Sequence, residues 1–414
     1  MANNRLYMQY KYKVEMSYLD LVRNKNTIIR TECIKSVIID HNYDVNCMPI
    51  VFAVLQLDKT LVDDMILNIN NNLILMAVYK YNDLTETKEE IEVFRDRFTY
   101  FLSDDVNKNE SIDYNEINMD ENIGNLYRRL TIGLISVSHI NNNKKMIELN
   151  VTNNTIYDCV KYCMSHFNNL IIEPFSFNDT YDRIIMPAQE SVNKALKYLN
   201  SYRVFYYTPF RFYQDFNYTY LISSSGRAIP KNNELYSSVV IQIKDIDEID
   251  ANDIGIAVNK ASNTYEILVS YADTNVYDNT LSNKSRTKIK GISSLGSTTK
   301  SLLHTTTYLK DKVKNIRLNN DNDNAIYNLE ADSNSKNILL YFSKNDLDMD
   351  LLTINKRISV HHIDRYTEHN GDYLLYRKRE CLIRENESFI MNTMVNLRKI
   401  EKSSTVEVIP FYIK

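Results

Sequence analysis

The sequence predicts a mainly β protein with some α, divided into two or more domains. Three observations carry that expectation. Apolar and polar residues alternate over most of the first hundred positions, as they do on half-buried strands. Helical spacing of apolar residues is confined to short pieces near 58–68, 155–168 and 188–200. In the second half, strand-like runs are separated by polar, Asn-rich stretches that suit turns and loops.

Taken in order, LYMQYKYKVEM reads as a two-sided strand, with Tyr7, Gln9 and Lys11 alternating and Val14 to Met16 continuing the pattern. TIIRTECIKSVIID keeps the same composition, and MPIVFAVLQLD reads as a buried strand. Asp58 is a plausible N-cap for a helix carrying Leu61, Met65 and Ile66, after which NLILMAVYKY returns to strand. Residues 91–102 place Phe94, Phe98, Tyr100 and Leu102 on one side of a strand, and residues 103–124 read as an acidic surface loop. YRRLTIGLISVSHINNNKKMIELNV reads as two strands joined by a turn at Asn141 to Lys145.

Two helices are expected next. One carries Ile156, Cys159, Val160, Cys163 and Phe167 on a single face; the other carries Val192, Ala195, Leu196 and Leu199, with Pro187 just before its first turn. Strands resume at YSSVVIQIK, TYEILVS and NILLYFS, separated by polar loops. Asn370-Gly371 is the strongest short hairpin signal, because both residues tolerate the positive φ of a type I′ turn.

Composition narrows the function. A chain of 414 residues has room for roughly two to four domains. Its 49 basic and 53 acidic residues leave a net charge of -4, which gives no general polyanion binder and no basic cradle for an acidic substrate. The five cysteines are scattered and odd in number, the pattern of reduced thiols made in a reducing cytosol. The amino terminus lacks the apolar core of a signal peptide, and no apolar run approaches the ~18 residues of a membrane span, so no membrane anchoring is expected.

Candidate chemical sites have bland readings beside them. Cys159, Cys163 and His166 could share a helix face and offer a metal two thiolates and an imidazole, but they share that face with core residues. His361, His362, Asp364 and His369 are rich in ligand types, but His361 and His362 would point to opposite faces of a strand; His362, Asp364 and Tyr366 could share one face and read as the solvated flank of the Asn-Gly hairpin. Gly291 and Gly296 have phosphate-loop spacing, yet Ser297 stands where lysine is required, so GISSLGSTTKS reads as a flexible loop. The run from Asp321 begins like a calcium loop but has Ala325 at the fifth position and Asp332 at the twelfth. Acidic pairs such as Asp104-Asp105 and Asp247-Glu248 sit in polar loops, and no nucleophile motif is present. No cofactor, metal or catalytic residue is expected, and the chain is read as a non-enzyme.

The segment FYYTPFRFYQDFNYTY, from Phe205 to Tyr220, packs nine rings into a chain without tryptophan. It reads as two strands around a turn at QDFN, with Phe210, Phe212, Asp215, Phe216, Tyr218 and Tyr220 as candidate packing or subunit-contact residues. The alternative is a stacking platform, in which Tyr206, Tyr207, Tyr213, Tyr218 and Tyr220 would be exposed to sugar rings in a tail-fibre or cell-wall glycan-binding protein.

Several of these phrases together, YRRLTIGLISVSHINNNKKMIELNV, TIYDCVKYCMSHFNNLIIEPF and RIIMPAQESVNKALKYLNSYRVFYYTPFRFYQDFNYTYLISSSG, with MPIVFAVLQLDKTLVDDMI before them, resemble the baseplate hub proteins of contractile phage tails and the hub half of type VI secretion spike proteins. The resemblance runs from about residue 5 to 240 and more loosely beyond. It implies two or more β-barrel-like domains and a small α/β part, assembled as a trimeric ring around a channel, joining a sixfold tail tube to a threefold spike. The implied layout is 1–150 as an N-terminal barrel-like region, 151–200 as the α/β part, 201–345 as a second barrel-like region and 346–414 as a C-terminal hairpin segment, with barrels open to discontinuous construction. The implied partners are two further copies, the tube protein, the central spike, and tape-measure and other baseplate proteins, with DNA only in passage. The implied location is the virion tail baseplate, after synthesis in the host cytoplasm.

Overall fold

The computed structural model describes residues 5–8, 10–43, 46–82, 89–103, 127–206, 210–223, 238–244, 256–259, 264–270, 274–277, 287–292, 300–301, 312–317, 337–342, 348–349, 351–362 and 370–399. The expected mainly β architecture with a few helices is found. Most strands belong to one 16-stranded sheet, and part of that sheet closes on itself. Around the closed ring, Tyr10–Asp20 pairs with Asn72–Asn82, followed by Ile91–Leu102, Tyr127–Ser136, Ile50–Asp58, Ile34–Asn42, Gly371–Glu385 and Ser388–Lys399. The last strand returns to the first through Tyr12 and Phe389.

The alternation read from the sequence has a direct cause in this ring: successive side chains point in and out. Tyr12, Val14, Met16 and Tyr18 point in, as do Ile74, Met76 and Val78 on the next strand, and all are buried in one core. At about 1.5–3 kcal/mol per buried large side chain, this filling contributes heavily to the ring's stability. Phe94, Phe98 and Tyr100 are inside as expected, whereas Leu102 ends its strand 42% exposed.

Helix α1 (Lys59–Leu67) closes one mouth of the ring. The Asp58 side chain caps it by accepting from the Thr60 amide, Val62 and Met65 are buried, and the Tyr100 hydroxyl donates to the Met65 carbonyl at 2.8 Å. At the other mouth the expected Asn141–Lys145 turn is replaced by helix α2 (Val137–Asn143). Ser136 is the reason: its hydroxyl accepts from the His139 amide and starts a helix where the Asn-rich composition suggested a turn.

The two longest strands, Gly371–Glu385 and Ser388–Lys399, form a hairpin that belongs to two groups of strands. Near its tip it is part of the ring. Farther along, Gly371 to Tyr373 pair with Arg357–His362, and Thr393 to Arg398 pair with Asn337–Phe342. From there the sheet continues through Ser238–Lys244, Thr264–Ser270, Ile256–Asn259 and Arg5–Met8 on one side and Thr274–Tyr277 on the other. The tight turn is at Asn386 and Glu387, where Asn386 takes φ 56°, a left-handed conformation asparagine tolerates. The expected Asn370-Gly371 turn is therefore corrected. Gly371 pairs with Val360, and residues 363–370 lie between the two strands, so no two-residue connection exists.

A smaller α/β part carries its own core. Strands Ile147–Thr155 and Thr180–Gln189 pair with each other and pack against α3 (Ile156–Cys163) and α4 (Val192–Tyr202). The buried faces are those expected, Ile156, Cys159, Val160 and Cys163 on α3 and Val192, Ala195, Leu196 and Leu199 on α4. Pro187 lies in the strand before α4; Ser191 caps the helix instead. Part of the expected flexible loop at Gly291 is strand, since Thr287–Ile292 pairs with Lys300–Ser301. Among the described residues no helix is long and apolar enough to cross a membrane.

Candidate functional site

The aromatic segment sits between the two cores. Phe210–Gln214 pairs with Thr219–Ser223, which also lies parallel to Leu170–Ile172, giving a three-stranded sheet with two buried faces. Phe212 and Leu221 face the α/β core, together with Phe205, Tyr206 and the half-buried Phe210. Tyr213, Tyr220 and Ile222 face the core of the ring. A sheet covered on both sides needs apolar area on both sides, which is why rings occupy successive positions instead of alternating with polar residues.

The connecting turn, Asp215 to Tyr218, is pressed into the mouth of the ring beside α2. Phe216 stacks on Phe94 with centroids 3.9 Å apart and planes 10° from parallel, and meets the edge of Phe98 and the His139 imidazole. The backbone is tied on both flanks: Gln214 donates to the Cys47 carbonyl at 2.8 Å, and the Asn217 side chain donates to the Val93 carbonyl at 3.0 Å. Of the six candidate residues, Phe212 and Tyr220 are buried, Phe210, Asp215 and Phe216 are half-buried, and Tyr218 is 44% exposed. A sugar platform would need open rings, but Tyr206, Tyr213 and Tyr220 are each at most 1% exposed, and Tyr207 lies outside the described residues.

A cavity of about 560 Å³ remains between this turn, the ring mouth and the stretch holding Met349, Thr353 and Asn355. Its wall contains charges that the sequence concealed. In the run RKRE, alternation turns Lys378 and Glu380 inward, where both are buried beside His41 of the neighbouring strand. Lys378 Nζ lies 2.9 Å from Glu380 Oε1, and His41 Nε2 lies 3.3 Å from Oε2. Neither carboxylate oxygen accepts a well-directed hydrogen bond, so Lys378 meets Glu380 as a charge contact held by position, with the His41 ring packed beside them. Lys378 also donates to the Met349 carbonyl, and His41 Nδ1 is 3.1 Å from the Tyr213 hydroxyl. Burial raises the Tyr43 and Tyr213 phenols well above their ordinary values and lowers His139. The network joins the ring, the turn and the Met349 stretch, and it presents no ordered nucleophile, base and orienting group.

The other candidates are dispersed. Cys159 and Cys163 pack in the α/β core, where burial pushes the Cys163 thiol up to about 12, and the His166 Nε2 is 3.0 Å from the Asn142 carbonyl. Among the described residues no group of three His, Cys, Asp or Glu side chains is placed to hold a metal. His361 and His362 are successive residues of one strand. Asp364, Tyr366, His369, Gly296, Ser297, the Asp321 run and the pairs Asp104-Asp105 and Asp247-Glu248 lie outside the described residues.

Comparison with known proteins adds an evolutionary observation to this geometry. The family model described as Bacteriophage PBS1 gene 109 protein matches residues 5–400. No curated protein matches the chain. Among solved structures, the chain is similar to a tail protein from Neisseria meningitidis MC58, at 12% identity and a TM-score of 0.49 over 93% of this chain and 96% of that one. It is similar to the 43 kDa tail protein of prophage MuSo2 from Shewanella oneidensis, at 9% identity and a TM-score of 0.49 over 95% and 97%. It is also similar to a chain of the Francisella PdpA-VgrG complex, at 11% identity and a TM-score of 0.47 over 99% of this chain and 60% of that one.

Proposed function

The chain belongs to the family of the bacteriophage PBS1 gene 109 protein, and from that membership we propose a structural, non-enzymatic role as a baseplate hub subunit of a phage-type tail. In this reading three copies surround the central channel and adapt a sixfold tail tube to a threefold spike. The observation that carries it is the shared hairpin: Gly371–Glu385 and Ser388–Lys399 run from the closed ring into the second group of strands, so two β modules are locked together in one chain. Three such chains would present six modules to the tube and one threefold face to the spike, with every interface closed. The filled ring is consistent with a channel lined by three chains instead of one running through each.

Tape-measure and other baseplate proteins are the further proposed partners, with DNA only in transit, and the proposed location is the virion tail baseplate. The near-neutral charge suits a wall past which DNA slides. Phe210, Phe212, Asp215, Phe216, Tyr218 and Tyr220 act in this reading by fixing the ring to the α/β part, with Tyr218 at the surface for a subunit contact. Light scattering behind a sizing column, followed by averaged electron micrographs, tests it. A threefold annulus supports the hub; a particle map that places the chain away from the tail axis overturns it.

A further inference from the structure

The sequence holds a single Asn-Gly pair, Asn370-Gly371, and the fold places it at the end of a ladder. Gly371 pairs with Val360, the last register pair its strand makes with Arg357–His362, and Asn370 lies just outside the strand, half-buried. On the other side, pairing with Ser388–Lys399 starts only at Tyr373. Gly371 therefore has a neighbouring strand on one side alone among the described residues. Ladder ends open far more readily than ladder centres, because few contacts are lost in freeing them.

Two features make glycine obligatory at 371. Its φ of 151° is a conformation that side chains oppose, and a β-carbon there would lie 3.0 Å from Lys399 Cε. The same missing β-carbon leaves the Gly371 nitrogen unscreened for attack on the side-chain carbon of Asn370, a ring closure that a larger residue hinders. The fold thus demands the very residue that makes its neighbour chemically labile. Lys399 adds charge: its Nζ would be 3.6 Å from that β-carbon, which brings an ammonium close to the backbone nitrogen that must give up its proton. The adjacent carboxylate, Asp372, is engaged elsewhere, accepting from the Ser359 hydroxyl at 2.8 Å.

We propose that Asn370 is a site of self-modification, at which the chain converts its own asparagine into aspartate and isoaspartate, with Lys399 promoting the step. The Gly371 nitrogen bonds to Asn370 Cγ while its proton passes through water to the carboxamide nitrogen. The bond from Cγ to that nitrogen breaks, ammonia leaves, and a succinimide remains. Water then opens the ring, so the sum is one of hydrolysis and needs no oxidant, reductant or cofactor. Attack at Cγ restores the main chain with an aspartate; attack at the main-chain carbonyl leaves isoaspartate, which inserts a methylene into the backbone just before the ladder. The inference does not rest on the hub reading.

Incubating the full chain at mildly alkaline pH, with peptide mapping by mass spectrometry and isoaspartyl methyltransferase labelling, tests it. Conversion at Asn370 should exceed that at Asn386, which is exposed but followed by Glu387, by about tenfold or more. Lys399→Gln, in a chain whose circular dichroism is unchanged, should slow conversion by about threefold to fivefold, the worth of one nearby charge in a largely solvated setting. That difference should vanish in guanidinium chloride, where the two residues part. Asn370→Gln should remove the labelled product. An Asn370 that reacts no faster than Asn386 in the folded chain overturns the proposal. So does an Asn370 that is stable when folded and converts only after unfolding, since the ladder then shields it. A rate indifferent to Lys399→Gln, or a lasting loss of ammonia with Asn370 joined to Lys399, overturns it as well.

Discussion

Glu173 follows the strand Leu170–Ile172, fully buried, with the Ser223 amide donating to its Oε2 at 2.6 Å and no hydrogen-bond partner at Oε1. Burial, only partly offset by that amide, pushes its carboxyl from 4.5 up to about 7. A carboxyl whose value is raised by folding binds its proton more tightly in the native state. Its contribution is therefore intact below about 4.5 and is lost as pH rises through about 7, by up to roughly 3 kcal/mol at about 1.4 kcal/mol per unit. Glu173→Gln keeps an acceptor for the Ser223 amide and removes the titration. Urea midpoints of the full chain, measured from pH 4 to pH 8.5 for both proteins, should show the wild type losing stability relative to the variant across pH 4.5–7 and staying level above it. The variant should be the more stable at pH 8.5, by about 1–3 kcal/mol once the unpaired side-chain amide is allowed for. Parallel curves, or a wild type that gains on the variant as pH rises, would refute the account of a carboxyl forced neutral by burial.

Three other outcomes follow from the geometry. Lys378→Met leaves Glu380 charged and buried beside His41 and should destabilise by about 3–5 kcal/mol, whereas the double change with Glu380→Leu should recover most of that, read from denaturant midpoints. Gly133→Ala drives a methyl into the Phe101 ring and should cost about 1–3 kcal/mol; the pair with Phe101→Ala should cost less than the sum of the two single changes. Cys163, buried and with its thiol raised to about 12, should resist a thiol reagent at pH 8 in the folded chain and react on unfolding, as mass spectrometry would show.

Local periodicity carried much of the fold. The faces of α3 and α4 were legible because each depends on residues within a few turns, and so was the Asp58 cap. Where sequence reading failed, a distant partner or a competing local signal decided. Asn370-Gly371 is a strong turn signal, yet the turn forms at Asn386, whose neighbours gave less warning. SFIMNTMVNLRK alternates cleanly, with Phe389, Met391, Val395 and Leu397 inside, and its period was the available clue to a strand. The same period would have turned Lys378 and Glu380 inward, but a run of four charges suggests a solvated surface. At the aromatic segment the excess of rings was visible and its cause was not, because a sheet buried on both faces is specified by two cores that residues 205–220 do not themselves contain.

The pairing of Tyr12 with Phe389 sets a timetable for synthesis. A ribosome adding about 5–20 residues per second delivers the closing strand roughly 20–75 s after the opening one. Until then the nascent strands of the ring have one bare edge, at Ile34–Asn42, and one covered only where Lys25–Ile29 pairs with Met16 to Asp20, and the uncovered stretches can recruit a strand from a neighbouring polypeptide. Translation rate, occupancy of the nascent chain by a holdase and the spacing of ribosomes on the message should therefore govern the yield of native protein more strongly than its final stability does.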